Sequence, residues 1–198
     1  MTSNIHPIFD TILQTEQKEF LLNQKAWVVW MVGLSGSGKS TLARALENHL
    51  HQSGKLTALL DGDNLRSGIN NNLGFSQEDR LENIRRAAET ARLLSSNGLI
   101  TICSLISPTE EVRSMARNII GEKYLEVFID CPLEVCEQRD VKGLYAKARE
   151  GLIPDFTGIS APFEPALDAD LTLNTHKNTV EEGLKKLTQF LVPKLQLD

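Results

Sequence analysis

A chain of 198 residues is long enough for one well-buried domain and short for two. Hydrophobic residues at 41% and charged residues at 24% sit near the globular average, which excludes a disordered tail, a collagen-like repeat and a disulfide scaffold. Lys and Arg number 21 against 26 Asp and Glu, a formal charge of -5, so no global cationic field serves nucleic acid and an anionic ligand has to be held locally.

Residues 1–25 read as an N-terminal helical segment ahead of a single domain spanning 26–198. Asp10, Glu16, Lys18 and Glu19 interrupt its apolar residues, so it lacks the continuous core and cleavage site of a signal peptide. Ile8, Ile12, Leu13, Phe20, Leu21 and Leu22 form a mixed helical pattern that can pack on its own domain or across a dimer. No apolar run approaches the roughly 18 residues of a membrane-spanning helix, and a soluble, cytoplasmic chain is expected. Cys103, Cys131 and Cys136 lack a C-x-x-C pair, which fits neither a zinc site nor a secreted disulfide framework; buried thiols are expected.

Five short runs rich in β-formers follow: Trp27 to Val32, Leu56 to Leu60, Leu99 to Leu105, Tyr124 to Asp130 and Leu171 to Leu173. Helical patterns alternate with them. Lys39 to Gln52 carries Leu42, Ala45, Leu46 and Leu50 on one face and closes at Gly54. Ser76 with Asp79 resembles a capping pair, and Leu81, Ile84, Ala88 and Ala91 make the next apolar stripe before Gly98. Ser107-Pro108 is expected to open a third helix, with proline at its first position and Glu110 and Glu111 in its first turn. A fourth begins near Pro132, and the last runs from about Thr179 to Leu191. The alternation predicts an α/β fold: a five-stranded parallel sheet, helices on both faces, ligands at the carboxyl ends of the strands. Residues 139–165 show no sustained period and read as a lid.

Gly33-Leu34-Ser35-Gly36-Ser37-Gly38-Lys39-Ser40 matches G-x-x-x-x-G-K-[ST] at every fixed position, directly after an apolar strand and at the opening of a helix. Glycines let backbone N–H groups curl around a phosphate, and the helix points its positive dipole end at the anion. Lys39 is expected to reach the β and γ phosphates of ATP, and Ser40 to hold Mg²⁺. GTPase switches and motor ATPases share this cradle, but the chain has no N-K-x-D tetrapeptide and little room for a further domain. A P-loop kinase fold acting on a small molecule is therefore favoured. The rival is a regulatory nucleotide-binding module without transfer, against which the presence of both Lys39 and an acid at the sheet edge counts.

That acid is Asp61, which with Asp63 leaves the second strand at the sheet edge carrying the P-loop. A carboxylate there can orient and deprotonate an attacking hydroxyl or help hold magnesium; a pair of solvated turn acids is the alternative. Arg66, Arg80, Arg85 and Arg86 crowd the following residues with Phe75 and Asn83 among them. This pattern reads as an anion grip with a stacking ring, or as surface arginines and a core phenylalanine.

At these residues the chain resembles the adenylylsulfate kinase (APS kinase) family. The shared blocks are GLSGSGKST at 33–41, DGDNLR at 61–66, LGFSQEDRLENIRR at 73–86, ISP at 106–108, KGLYAKAR at 142–149 and FTGI at 156–159. The resemblance implies transfer of the ATP γ-phosphate to the 3′-hydroxyl of adenosine 5′-phosphosulfate, with Mg²⁺, in a homodimer, without nucleic acid or membrane. It implies Asp61 as the catalytic or metal-organising carboxylate beside Lys39 and Ser40. The loop through Thr41, with Arg139 and Thr175, would bind ATP. Asp63, Arg66, Arg80, Asn83, Ile106, Ser107 and Lys142 would surround the sulfonucleotide, with Phe75 and Phe156 sandwiching its adenine. Ser107 occupies the family's phosphoserine position; helix capping and ligand positioning are favoured over a covalent role. Thr109 and Glu110 replace the usual Tyr-Arg pair, Ser67 a common His and Leu105 a common Phe. Loss of a positive charge at Glu110 predicts weaker binding or altered substrate inhibition.

Overall fold

The computed structural model describes residues 4–197; the first three residues of the N-terminal segment lie outside them. Five strands, β1 (Val28–Val32), β2 (Thr57–Asp61), β3 (Ile100–Ser104), β4 (Tyr124–Asp130) and β5 (Leu171–Asn174), form one parallel sheet in the order β2-β3-β1-β4-β5. Each lies within about a residue or two of its expected bounds. The helices are α1 (Thr15–Leu22), α2 (Lys39–Gln52), α3 (Gly62–Ser67), α4 (Gln77–Ser95), α5 (Glu110–Ile120), α6 (Leu133–Arg139), α7 (Leu144–Arg149) and α8 (Val180–Leu195).

The central strand explains the two-sided packing. All five residues of β1 are apolar and buried, as a parallel strand covered on both faces requires. Val28, Trp30 and Val32 face a cluster with Ile84, Ala88 and Ala91 of α4 and Val112 and Ala116 of α5. Val29 and Met31 face the other, with Leu42 and Leu46 of α2 and Leu187 and Leu191 of α8. The period-2 alternation of the strand thus meets a helical stripe on each side.

Three helix starts follow the side-chain logic of the sequence. Ser76 Oγ accepts from the Asp79 amide at the head of α4, Thr179 and Glu182 form a capping box at α8, and Asp61 accepts from the Asp63 amide at α3. The α5 start departs from expectation. Ser107 does not cap it and Pro108 is not its first residue; Thr109 is the N-cap, accepting from the Val112 amide. Ser107 instead takes a left-handed φ of 46° and is buried, its hydroxyl accepting from Trp30 Nε1 at 3.0 Å. The last helix continues one turn beyond Leu191, to Leu195.

Helix α1 lies against its own domain. Thr15 and Lys18 donate to Ser96 and Asn97 beyond α4, and Gln24 ties Leu56 to Gly98. Its other face leaves Phe20 and Leu21 more than three-quarters exposed. The 139–165 stretch contains α7, whose first amides are capped by the Asp140 carboxylate. Among the described residues no helix is long and apolar enough to cross a membrane, and all three cysteines are free and buried.

Candidate active site

The loop after β1 closes tightly enough to dictate its glycines. Gly33 has φ 155°, and a Cβ there would stand 2.7 Å from the Ile129 carbonyl oxygen; Gly36 has φ 74°, with the Cys136 carbonyl 3.0 Å from any Cβ. Gly38 N-caps α2. Lys39, at the first position of that helix, is buried and donates to the carbonyls of Gly33 (2.8 Å) and Leu34 (2.7 Å) and more distantly to Ser37 Oγ (3.5 Å). Burial lowers its ammonium from 10.5 to about 8, against the opposing pull of Cys136 and Asp61. The amine therefore sits folded onto the loop that an incoming phosphate would occupy.

Ser40 and Asp61 meet as the sequence pattern expects. The Ser40 hydroxyl donates to Asp61 Oδ2 at 2.7 Å and lies 3.1 Å from Ser104 Oγ at the end of β3. These are all hard oxygen donors at the carboxyl edge of the sheet, a set that suits Mg²⁺, which keeps most of its waters and takes only one or two protein ligands. Asp61 Oδ1 accepts the Asp63 amide, which orients the carboxylate. Sequence reasoning missed Ser104; its place at the carboxyl end of a central strand was the available signal.

Beside the loop, Arg139 donates to Gly36 O (3.2 Å) and Thr175 O (2.8 Å), and Thr175 Oγ1 donates to Ser37 O (2.6 Å). The end of α6 and the residue after β5 are thereby stitched to the cradle. Thr41 is exposed in the first turn of α2. Tyr145, another residue missed by sequence reasoning, is buried in α7 and donates to Ser35 O at 2.8 Å, so α7 also rests on the loop.

Beyond β2, Arg66 donates to Leu73 O and Gly74 O and covers one face of Phe75, its guanidinium carbon 4.3 Å from the ring centroid. Arg80 donates to Phe75 O, to Thr157 Oγ1 and to Asp155 O. One guanidinium therefore joins the Phe75 loop to both neighbours of Phe156. Phe156 itself packs edge-on against Tyr145, ring centroids 5.0 Å apart, while Phe75 stays 58% exposed. Burial lowers both arginines' proton affinity, and Arg80's charge lowers Arg66's further, while Asp79 and Asp63 beside Arg66 and Asp155 beside Arg80 oppose the shift. Asn83 is buried and accepts from Asn70 Nδ2 at 3.0 Å. Lys142, just ahead of α7, pairs with Asp63. Ile106 offers its carbonyl to the Gly33 amide at 3.3 Å, joining the turn after β3 to the cradle.

Arg85 and Arg86 do not gather with Arg66 and Arg80. Both close on Glu82 along α4, and Arg86 also holds Ile69 O and Asn72. The departures from the family pattern settle locally: Thr109 caps α5, Ser67 donates to Asn64 O, Leu105 is buried in the core, and Glu110 pairs with Arg113 at 2.9 Å.

A parallel sheet with a phosphate loop after its central strand, and with Ser104 and Asp61 at adjoining strand ends beside it, defines a P-loop phosphotransferase. The adenylylsulphate kinase family model matches residues 25–174. An adenylyl-sulfate kinase of Bacteroides thetaiotaomicron is 56% identical over 195 residues, covering 98% of this chain and 97% of that protein. One of Phocaeicola vulgatus is 56% identical over 191 residues, covering 96% and 94%. The APS kinase of Mycobacterium tuberculosis, solved in complex with AMPPNP and APS, superposes with a TM-score of 0.82 at 44% identity, covering 85% of this chain and 98% of that one. The chain belongs to the adenylylsulfate kinase family.

Proposed function

We infer that the chain transfers the γ-phosphate of ATP to the 3′-hydroxyl of adenosine 5′-phosphosulfate, giving 3′-phosphoadenosine 5′-phosphosulfate and ADP. Family membership supplies the reaction. The observation that carries the site is the Ser40–Asp61 hydrogen bond, which brings the cradle helix and the acceptor-side carboxylate to one point at the sheet edge.

In this reading Lys39 leaves the Gly33 and Leu34 carbonyls and turns its charge to the β and γ phosphates. Mg²⁺, held by Ser40 and Asp61, would neutralise charge on those phosphates. Asp61 orients the 3′-hydroxyl and accepts its proton as the phosphoryl group moves in line. Arg66, Arg80, Asp63 and Asn83 fix the phosphosulfate nucleotide, Ile106 and Ser107 form the turn behind it, and Phe75 and Phe156 bracket its adenine. Arg139 and Thr175 flank the ATP. Closure of the 139–165 lid, with Lys142 passing from Asp63 to the phosphates, excludes water that would otherwise take the γ-phosphate. Ser107, buried under Trp30, serves by position and carries no phosphate in the cycle.

The same reading places the enzyme in the cytoplasm, in keeping with three unpaired buried thiols. It also makes it a homodimer, in which a second copy covers the exposed Phe9, Leu13, Phe20 and Leu21. Sedimentation at twice the chain mass is expected; a monomer at assay concentration would remove the dimer from the account. The activity is tested by ADP release with adenylylsulfate against shikimate, gluconate and AMP. Turnover with adenylylsulfate alone is expected, and equal turnover of the others would overturn the substrate assignment.

A further inference from the structure

The turn Ile106–Pro108 is held by donors from four different parts of the fold. Ile106 O accepts from the Gly33 amide (3.3 Å), Ser107 Oγ from Trp30 Nε1 (3.0 Å), Ser107 O from Arg113 Nη1 (3.3 Å) and Pro108 O from the Glu164 amide (2.8 Å). Arg113 holds more than this turn. The same Nη1 donates to Glu164 O at 2.8 Å, so one nitrogen of α5 joins Ser107 to the end of the lid. Glu164 answers from its side, its carboxylate accepting the Glu110 amide at 2.6 Å.

Arg113 is only 2% exposed, and burying a guanidinium is costly unless it is paired and hydrogen-bonded. Its charge is met by Glu110 Oε2 at 2.9 Å and by Glu126 Oε1 at 3.6 Å from Nε, with Glu126 itself buried on β4 beneath the Tyr124 hydroxyl. The arrangement is still imperfect, because Nε lacks a hydrogen-bond partner. An apolar side chain would fill an ordinary core position on α5 without that cost. What the guanidinium supplies instead is a planar fork able to reach two carbonyls and two carboxylates at once. One of those carbonyls belongs to Ser107, a non-glycine residue held at φ 46°, a conformation that persists only where its surroundings fix it.

We propose that Arg113 is a positioning residue for the acceptor nucleotide, clamping the Ile106–Ser107 turn to the end of the lid at Glu164. This rests on the reading that the turn touches the sulfonucleotide. Among the described residues the hydrogen bond that joins the ATP cradle to the turn is the long one from the Gly33 amide, 3.3 Å, so the effect falls on the acceptor and spares ATP.

The test compares Arg113→Gln, Arg113→Lys and Arg117→Gln by KM for each substrate, kcat and Tm. Arg117 pairs with the same Glu126 at 3.4 Å but does not hold the turn, which makes it the control for loosening the network. Lysine keeps the charge and the fold while losing the fork. Arg113→Lys is expected to raise KM for adenylylsulfate tenfold or more with KM for ATP within twofold, and Arg117→Gln to leave both within twofold. In a Trp27→Phe background, where Trp30 is the remaining tryptophan, Arg113→Lys should also shift the emission as Ser107 moves from the indole. Unchanged KM for adenylylsulfate in Arg113→Lys, or a parallel rise in both KM values, overturns the proposal. Wild-type enzyme inactive on adenylylsulfate would instead overturn the reading of the site, and the Trp30 emission would still report whether Arg113 holds the turn.

Discussion

Ser40 Oγ and Asp61 Oδ2 stand 2.7 Å apart, one in the first turn of the helix that cradles phosphate and the other at the end of the neighbouring β2–β3 half of the sheet. Two segments separated by twenty residues thus converge through backbone topology alone: parallel strands with helical returns deliver their carboxyl ends to one edge. Chemistry at that edge requires only that the groups emerging there be a hydroxyl and a carboxylate.

Asp61→Asn keeps the oxygen that caps α3 and removes the proposed base. Turnover should fall about 10²–10⁴-fold, the usual contribution of a positioned base, while ATP affinity stays within a few-fold. Titration calorimetry with ATP beside a coupled ADP assay checks both; undiminished turnover would exclude Asp61 from the chemistry.

Lys39 gives the ATP site a pH signature. Its amine titrates near 8 when free, and a bound γ-phosphate raises that value, so above about pH 8 the complex holds more protons than the free enzyme. ATP affinity should be flat below pH 8 and fall by up to about tenfold per unit above it, with proton uptake on binding. Calorimetry in buffers of differing ionisation enthalpy measures this, and Lys39→Met should abolish it. Folding has the opposite sense: the unfolded chain binds more protons between about 8 and 10.5, so Lys39's unfavourable burial is relieved as pH rises through that window.

Ser107→Ala removes the acceptor for the buried Trp30 indole. The orphaned N–H should cost about 1–3 kcal/mol of stability, read by denaturant unfolding. Activity should fall less than tenfold, and intact-mass measurement during turnover should show no phosphoenzyme in the wild type. A stoichiometric phosphate on Ser107 along the catalytic path would contradict direct transfer.

Arg80→Ala cuts the bridge between the Phe75 loop and the Phe156 turn. Hydrogen bonds to charged groups contribute about 1.5–3 kcal/mol, which predicts KM for adenylylsulfate higher by roughly 10–150-fold. Steady-state kinetics with ATP saturating decides it, and an unchanged KM would remove Arg80 from the acceptor site.

The parts legible in the sequence were those governed by local rules. The cradle glycines follow from backbone approach, the strands from apolar runs, and Asp61 from its place at a strand end. The cap of α5 was not legible, because Ser107-Pro108 and Thr109 both satisfy N-cap preferences and only the pull of Trp30 on the Ser107 hydroxyl separates them. Within the arginine cluster, helix spacing cannot tell Arg80, which reaches across to Thr157 and Asp155, from Arg85 and Arg86, which fold back onto Glu82. Tyr145 on Ser35 and Arg113 on Ser107 are contacts between elements, and no periodicity encodes them.

The most direct measurement is a crystal structure with a non-hydrolysable ATP analogue and adenylylsulfate bound together. The account predicts Lys39 and the loop amides on one side of the γ-phosphorus and, on the other, the acceptor 3′-hydroxyl within about 2.6–3.2 Å of the Asp61 carboxylate. A 3′-hydroxyl turned away from Asp61, with the carboxylate facing a different cavity, would contradict it.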